Sequence, residues 1–187
     1  MRLIIWLLLS MITSFPTIRS YSQKCDSIIW KGFHQLKWKN FKGKPDNKSA
    51  ASALTAASLY FFFTEKNEAV DFKFIASFST CHSWVKKDAT KDLLKHEQTH
   101  FDIAEYHRRL MAKEMLELHF SKKMDPNKLN LITSRYNRLF KEMEDQYDKE
   151  TNHSIITKKQ KRWSRKIKRK VKDLNEYHPI KYHINFH

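Results

Sequence analysis

The chain has 187 residues, 41% of them hydrophobic and 13% aromatic, enough to bury the core of one domain. Its formal net charge of +16 favours anionic partners and says nothing about fold. Only two glycines, Gly32 and Gly43, are present, which excludes a glycine-rich phosphate loop and with it nucleotide-binding readings built on one.

The N-terminus reads as a targeting segment. Arg2 precedes the apolar run "LIIWLLLSMI", and Ser20-Tyr21-Ser22 is a small-x-small cleavage site. The run is shorter than the roughly 20 apolar residues of a membrane span. The expectation is a signal peptide over 1–22, an exported (periplasmic or extracellular) mature chain, and no transmembrane span in that chain. Two cysteines, Cys25 and Cys81, permit one disulfide in such a compartment.

Residues 28–42 read as a short strand followed by a loop, and "DNKSAAS" as a polar linker. "ALTAASLYFFFTE" and "AVDFKFIASFST" read as two strands, with "EKNE" as the hairpin turn between them. From Asp88 or Thr90 a helix begins that meets no Gly or Pro for thirty residues. Pro126 in a first turn predicts a second helix to about residue 150, ended by "TNHS". A third helix is expected over about 156–174. Strands first and helices after predict an α+β fold: a small antiparallel sheet in the N-terminal half, then a motif-bearing helix and two more. The domain is expected over 23–174, with 175–187 as a His-rich tail.

The motif is His96-Glu97-Gln98-Thr99-His100, an H-E-x-x-H. Positions four apart stack on one helix face, so both imidazoles can reach one ion. Glu97, one residue on, can take a proton from water held in an open zinc position. With ten His and ten Glu, chance gives this motif in roughly 3% of such sequences, so the metal reading is preferred. His107 lies on the same face but ~10 Å further along at 1.5 Å per residue, too far to share the ion. A third ligand must come from later in the chain, and Glu142, Glu144, Asp148, Glu150 and His153 are the candidates.

"LKWKNFKGKP", "SWVKK", "LLKHEQTHFDIAE" and "YDKETNHS", in that order, resemble a family of predicted secreted zinc-dependent proteases that is known in bacteria as a domain of unknown function. The resemblance spans about Leu36 to Trp163. It implies a zincin-like metallopeptidase with Zn2+ as cofactor and His96, Glu97 and His100 as the motif. Tyr147, Asp148, Thr151 and His153 match the family's second block, and Ser154 stands where the family often has glycine. On this reading His153 is the third zinc ligand. Asp148 accepts the free ring N–H of a liganding His, and Tyr147 donates to the developing oxyanion. The expected substrate is a peptide or protein, laid along an edge of the small sheet.

"KKQKRWSRKIKRKVKDL" carries a basic face opposite the stripe Trp163, Ile167, Val171 and Leu174. The stripe is expected to dock the helix, leaving residues 158–172 for contact with anionic surfaces and no specific nucleic acid. The alternative function is a non-enzymatic exported protein that holds anionic polymers or lipid. A cell-wall amidase would use the same zinc water. His34, His82 and His119 lie outside any ligand spacing and are given no role, although His82, just before "SWVKK", falls within reach of the cleft. The tail His178, His183 and His187 could hold metal weakly, but such a terminus more often frays or adds an edge strand.

Overall fold

The structure is a computed structural model that describes residues 25–87, 89–118 and 125–185. The expected signal peptide, the alternative helix cap Asp88, His119 and His187 lie outside the described residues.

The long strands are β3 (Ala57–Lys66) and β4 (Ala69–Ser79), preceded by β1 (Ser27–Ile29) and the short β2 (Ala53–Leu54). β3 and β4 form a hairpin that pairs antiparallel along its whole length, from Ala57 opposite Phe78 to Lys66 opposite Ala69. The turn is tight, with Asn67 in the left-handed region (φ 53°), where Asn is among the best tolerated residues. The other edge of β4 is shared end to end. β1 pairs with its last residues, and β6 (Lys181–Asn185), the last strand among the described residues, pairs with its first. Within the 175–187 segment, Lys181–Asn185 thus belong to the main sheet. β2 pairs antiparallel with β5 (Trp84–Val85) as a second, two-stranded sheet.

Alternation along β4 decides which face is covered. Val70, Phe72, Phe74, Ala76 and Phe78 are all at most 1% exposed and point toward the helices. Against them lies α1 (Lys91–Leu116), followed by α2 (Pro126–Thr151) and α3 (Thr157–Asp173). The Thr90 hydroxyl caps α1 by accepting the Leu93 N–H at 3.1 Å. Asp125 caps α2, with Pro126 in the first turn. α2 buries Leu129, Ile132, Tyr136, Phe140 and Tyr147, and α3 buries Gln160, Trp163, Ile167 and Val171 at helical spacing. α3 is thus docked by its expected stripe. The fold is α+β, with an antiparallel sheet from the N-terminal half and three helices after it.

α1 is covered on every side: each residue from His96 to Arg109 is buried, with sheet against one face and α2 and α3 against the others. A sequence so rich in charge can be buried only if each polar group finds a partner. Asp102 accepts from Trp30 Nε1 and Gln98 Nε2, both at 2.8 Å. Glu105 takes a bidentate pair from Arg108 and a third bond from Arg109. The two guanidinium groups also donate to carbonyls of the C-terminal segment. Arg108 reaches Tyr177, His178 and Pro179, and Arg109 reaches Val171 and Leu174. This network ties the end of α3 and the approach to β6 onto the back of α1.

Two further ties hold the N-terminal half. Cys25 and Cys81 are disulfide-bonded. Gly43 lies against the loop after β4, where a Cβ would sit 2.6 Å from the Cys81 carbonyl oxygen and 2.8 Å from that of Ser83. Only glycine lets the two backbones approach this closely. Among the described residues, no helix is long and apolar enough to cross a membrane.

Candidate metal centre

The site is made by two antiparallel helices that each contribute an i, i+4 pair. His96 and His100 stack on the N-terminal half of α1; Glu144 and Asp148 stack on the C-terminal half of α2. His96 Nε2 and His100 Nε2 lie 3.2 Å apart. Asp148 Oδ1 lies 3.0 Å from the first and 3.1 Å from the second. These three residues form a group that could hold a metal ion. Ligand atoms at ~2.0–2.2 Å from a tetrahedral zinc lie about 3.3 Å from one another, so the spacing fits a zinc-sized ion.

The carboxylates divide the work differently from the sequence expectation. Asp148 enters the close group itself. The free ring nitrogen of His100 is taken by Glu144, with Nδ1 to Oε1 at 3.1 Å. His153 stands outside the group, largely exposed, with Nδ1 3.6 Å from Asp148 Oδ2. The reason is local. α2 ends at Thr151, and Asn152, His153 and Ser154 all have positive φ (48°, 48° and 80°). This left-handed turn carries the chain away toward α3 and holds the His153 ring at the rim of the cleft. The other candidates are otherwise engaged: Glu150 accepts from Trp163 Nε1 and Gln146, and Glu142 pairs with Arg138 on the surface. His107 is buried seven residues along α1, where its Nδ1 donates to the Ile103 carbonyl.

Tyr147, expected as an oxyanion donor, packs against the two imidazoles. Its ring is fully buried and stacks on His96 at 4.6 Å, edge-on to His100 at 5.0 Å and against Trp163 at 5.5 Å. The hydroxyl is buried and the residue does not line the cleft. It fixes both imidazole planes from beneath.

The cleft above the group has a volume of about 230 Å³. Glu97 lines it together with His96, His100 and Asp148, and residues 51–55, which include β2, form the facing wall. Thr55 Oγ1 donates to the Glu97 backbone carbonyl at 3.3 Å, fastening that wall to α1. The wall was read from sequence as linker and strand start, and a two-residue strand leaves no alternation that could have revealed it. Glu144 was legible as the i−4 neighbour of Asp148.

Electrostatically the site is tightly coupled. Burial pushes the Glu97 carboxyl upward. Burial also depresses the His96 imidazole, against the pull of Asp148. Burial alone would do the same to His100, but hydrogen bonds to Asp148 and Glu144 raise it to about 10. Burial would raise Asp148, yet its bonds to the two imidazoles hold it well below the usual carboxylate range. His82, raised as a neighbour of the cleft, instead bonds Ser79 Oγ at 2.8 Å beside the disulfide.

The class defined so far is an α+β protein with a helix-borne His-Glu-x-x-His group completed by a carboxylate from the next helix. Residues 36–154 match the family described as a bacterial protein of unknown function (DUF922), and the chain belongs to that family. No curated protein and no solved structure matches the chain.

Proposed function

We propose that the protein is an exported zinc-dependent metallopeptidase of zincin type. The observation that carries this reading is the convergence of His96 Nε2, His100 Nε2 and Asp148 Oδ1 within 3.2 Å of one another, with Glu97 on the same cleft. Zinc bound there would supply a water acidic enough to ionise near neutral pH and would polarise a carbonyl. Glu97, buried and raised in pKa, is suited to accept a proton from water and return it to the leaving amine. Glu144 orients His100 through Nδ1, and Tyr147 orients both rings by packing. The 51–55 wall is placed to lie beside an extended peptide. The Cys25–Cys81 bridge supports export, because such bonds persist in oxidising compartments.

The test is hydrolysis of a mixed peptide library by zinc-loaded protein. Glu97→Gln should cut turnover by at least about a hundredfold, the scale of general-base loss, while still binding metal. Turnover by Glu97→Gln equal to the parent would remove the assignment.

A second reading rests on α3, whose 17 residues carry ten Lys and Arg and one acid. A non-enzymatic holder of polyanions would use that face through residues 158–172. It would lose affinity steeply with added salt, and Glu97→Gln would leave it unchanged.

A further inference from the structure

A second cavity, of about 420 Å³, opens on a different face of α1, between α1, α3 and the Phe33–His34 turn. It shares no lining residue with the metal cleft. Its size is that of a small-molecule pocket.

The floor holds one unpaired acceptor. Gln160 is only 3% exposed, and its Nε2 donates to the Asp92 carbonyl at 2.7 Å. Its Oε1 is buried with no hydrogen-bond partner among the described residues. The Asp102 carboxylate lines the same cavity. A buried acceptor left without a donor is costly, and a ligand that brings a donor removes that cost.

The mouth is cationic. Lys161, Arg165 and Lys168 follow one another on the exposed side of α3, and Lys95 stands across from them on α1. Lys95 pairs with Asp92 at 2.8 Å. Four cations therefore face the Asp92 carboxylate and Asp102, whose carboxyl burial pushes up to about 7, a surplus of at least two positive charges. An amine is unsuited to such a mouth. A dianion matches the surplus, and its oxygens can accept from a guanidinium and from ammonium groups together.

We propose that this cavity binds a hydroxylated phosphomonoester, the chemistry of a sugar phosphate. The phosphate sits at Lys161, Arg165 and Lys168, and a hydroxyl reaches down to Gln160 Oε1. The proposal does not depend on the metallopeptidase reading.

Calorimetric titration of the full metal-free chain tests it, with glucose 6-phosphate, its phosphate methyl ester, inorganic phosphate and glucose as probes. Glucose 6-phosphate should bind one per chain, at least tenfold tighter than each of the other three. The double variant Lys161→Gln, Arg165→Gln alters only exposed side chains. It should keep the parent's melting temperature and weaken binding at least tenfold. Gln160→Leu, checked for folding in the same way, should bring glucose 6-phosphate down to the affinity of inorganic phosphate. No binding, equal binding of glucose 6-phosphate and inorganic phosphate, or binding untouched by the double variant would overturn the proposal.

Discussion

At the scale of residues, the motif was legible because its geometry is local. Any helix that carries His96 and His100 stacks them, whatever surrounds it. The third position was not legible in the same way. Asp148 and His153 sit five residues apart, and which of them turns toward α1 depends on where α2 stops. It stops at Thr151, and three successive left-handed residues carry His153 to the rim. Such a backbone is costly for residues with a Cβ. Ser154, at φ 80°, is in the position where glycine removes that cost. Ser154→Gly should raise stability by about 1 kcal/mol in urea unfolding, a gain that the greater freedom of glycine in the unfolded chain reduces but does not cancel. A loss of stability would mean that the turn is not strained. Glu144, bonded to His100 Nδ1, should act on the metal indirectly. Glu144→Gln is expected to weaken zinc affinity about 10–100-fold, measured by competition with a chelator.

At the scale of elements, the long strands and the three helices followed from period and punctuation. Two features did not. The β2–β5 pair is two residues deep, too short to alternate. The burial of α1 on every side was hidden because its charged face reads as solvated. Its Arg108 is neutralised within the helix by Glu105, but the carbonyls that complete its hydrogen bonding, those of Tyr177, His178 and Pro179, lie some 70 residues away. Removing that guanidinium leaves Glu105 with Arg109 alone and frees three carbonyls. Arg108→Ala should cost about 3–5 kcal/mol, the range for breaking one side of a buried ion pair. Arg108→Lys should recover little, since an ammonium cannot reproduce the fork. Chemical unfolding of the two variants checks both statements. A cost under about 1 kcal/mol, the scale of exposed pairs, would contradict this role for the network.

At the scale of the whole molecule, the disulfide ties Cys25 to the loop after β4, and β6 ties the C-terminal segment to the main sheet. The disulfide encloses a long loop, with a sequence separation of 56. Its reduction should cost about 4 kcal/mol in the chain-entropy model, seen as a lower melting temperature with reductant. Stability should also respond to pH through His107. Burial, with a smaller push from Lys170, lowers its imidazole from 6.5 to about 4. A lowered folded-state value means that the unfolded chain takes the proton first as pH falls. The contribution is whole above pH 6.5 and is lost progressively between 6.5 and about 4, roughly 3 kcal/mol at ~1.4 kcal/mol per unit. His107→Leu should flatten the pH dependence of unfolding in that window. An unchanged slope would show that His107 does not titrate this way.

The central claim is that α1 and α2 together make one metal site, with Asp148 as the third ligand. The most direct measurement is zinc per chain, together with zinc affinity, on protein purified without a metal-affinity tag, comparing the parent with Asp148→Asn and His153→Ala. The expected result is one zinc per parent chain, retained at similar affinity in His153→Ala and weakened at least a hundredfold in Asp148→Asn. No zinc in a folded, zinc-supplemented parent would contradict the site itself. Loss in His153→Ala with retention in Asp148→Asn would return the third position to the histidine.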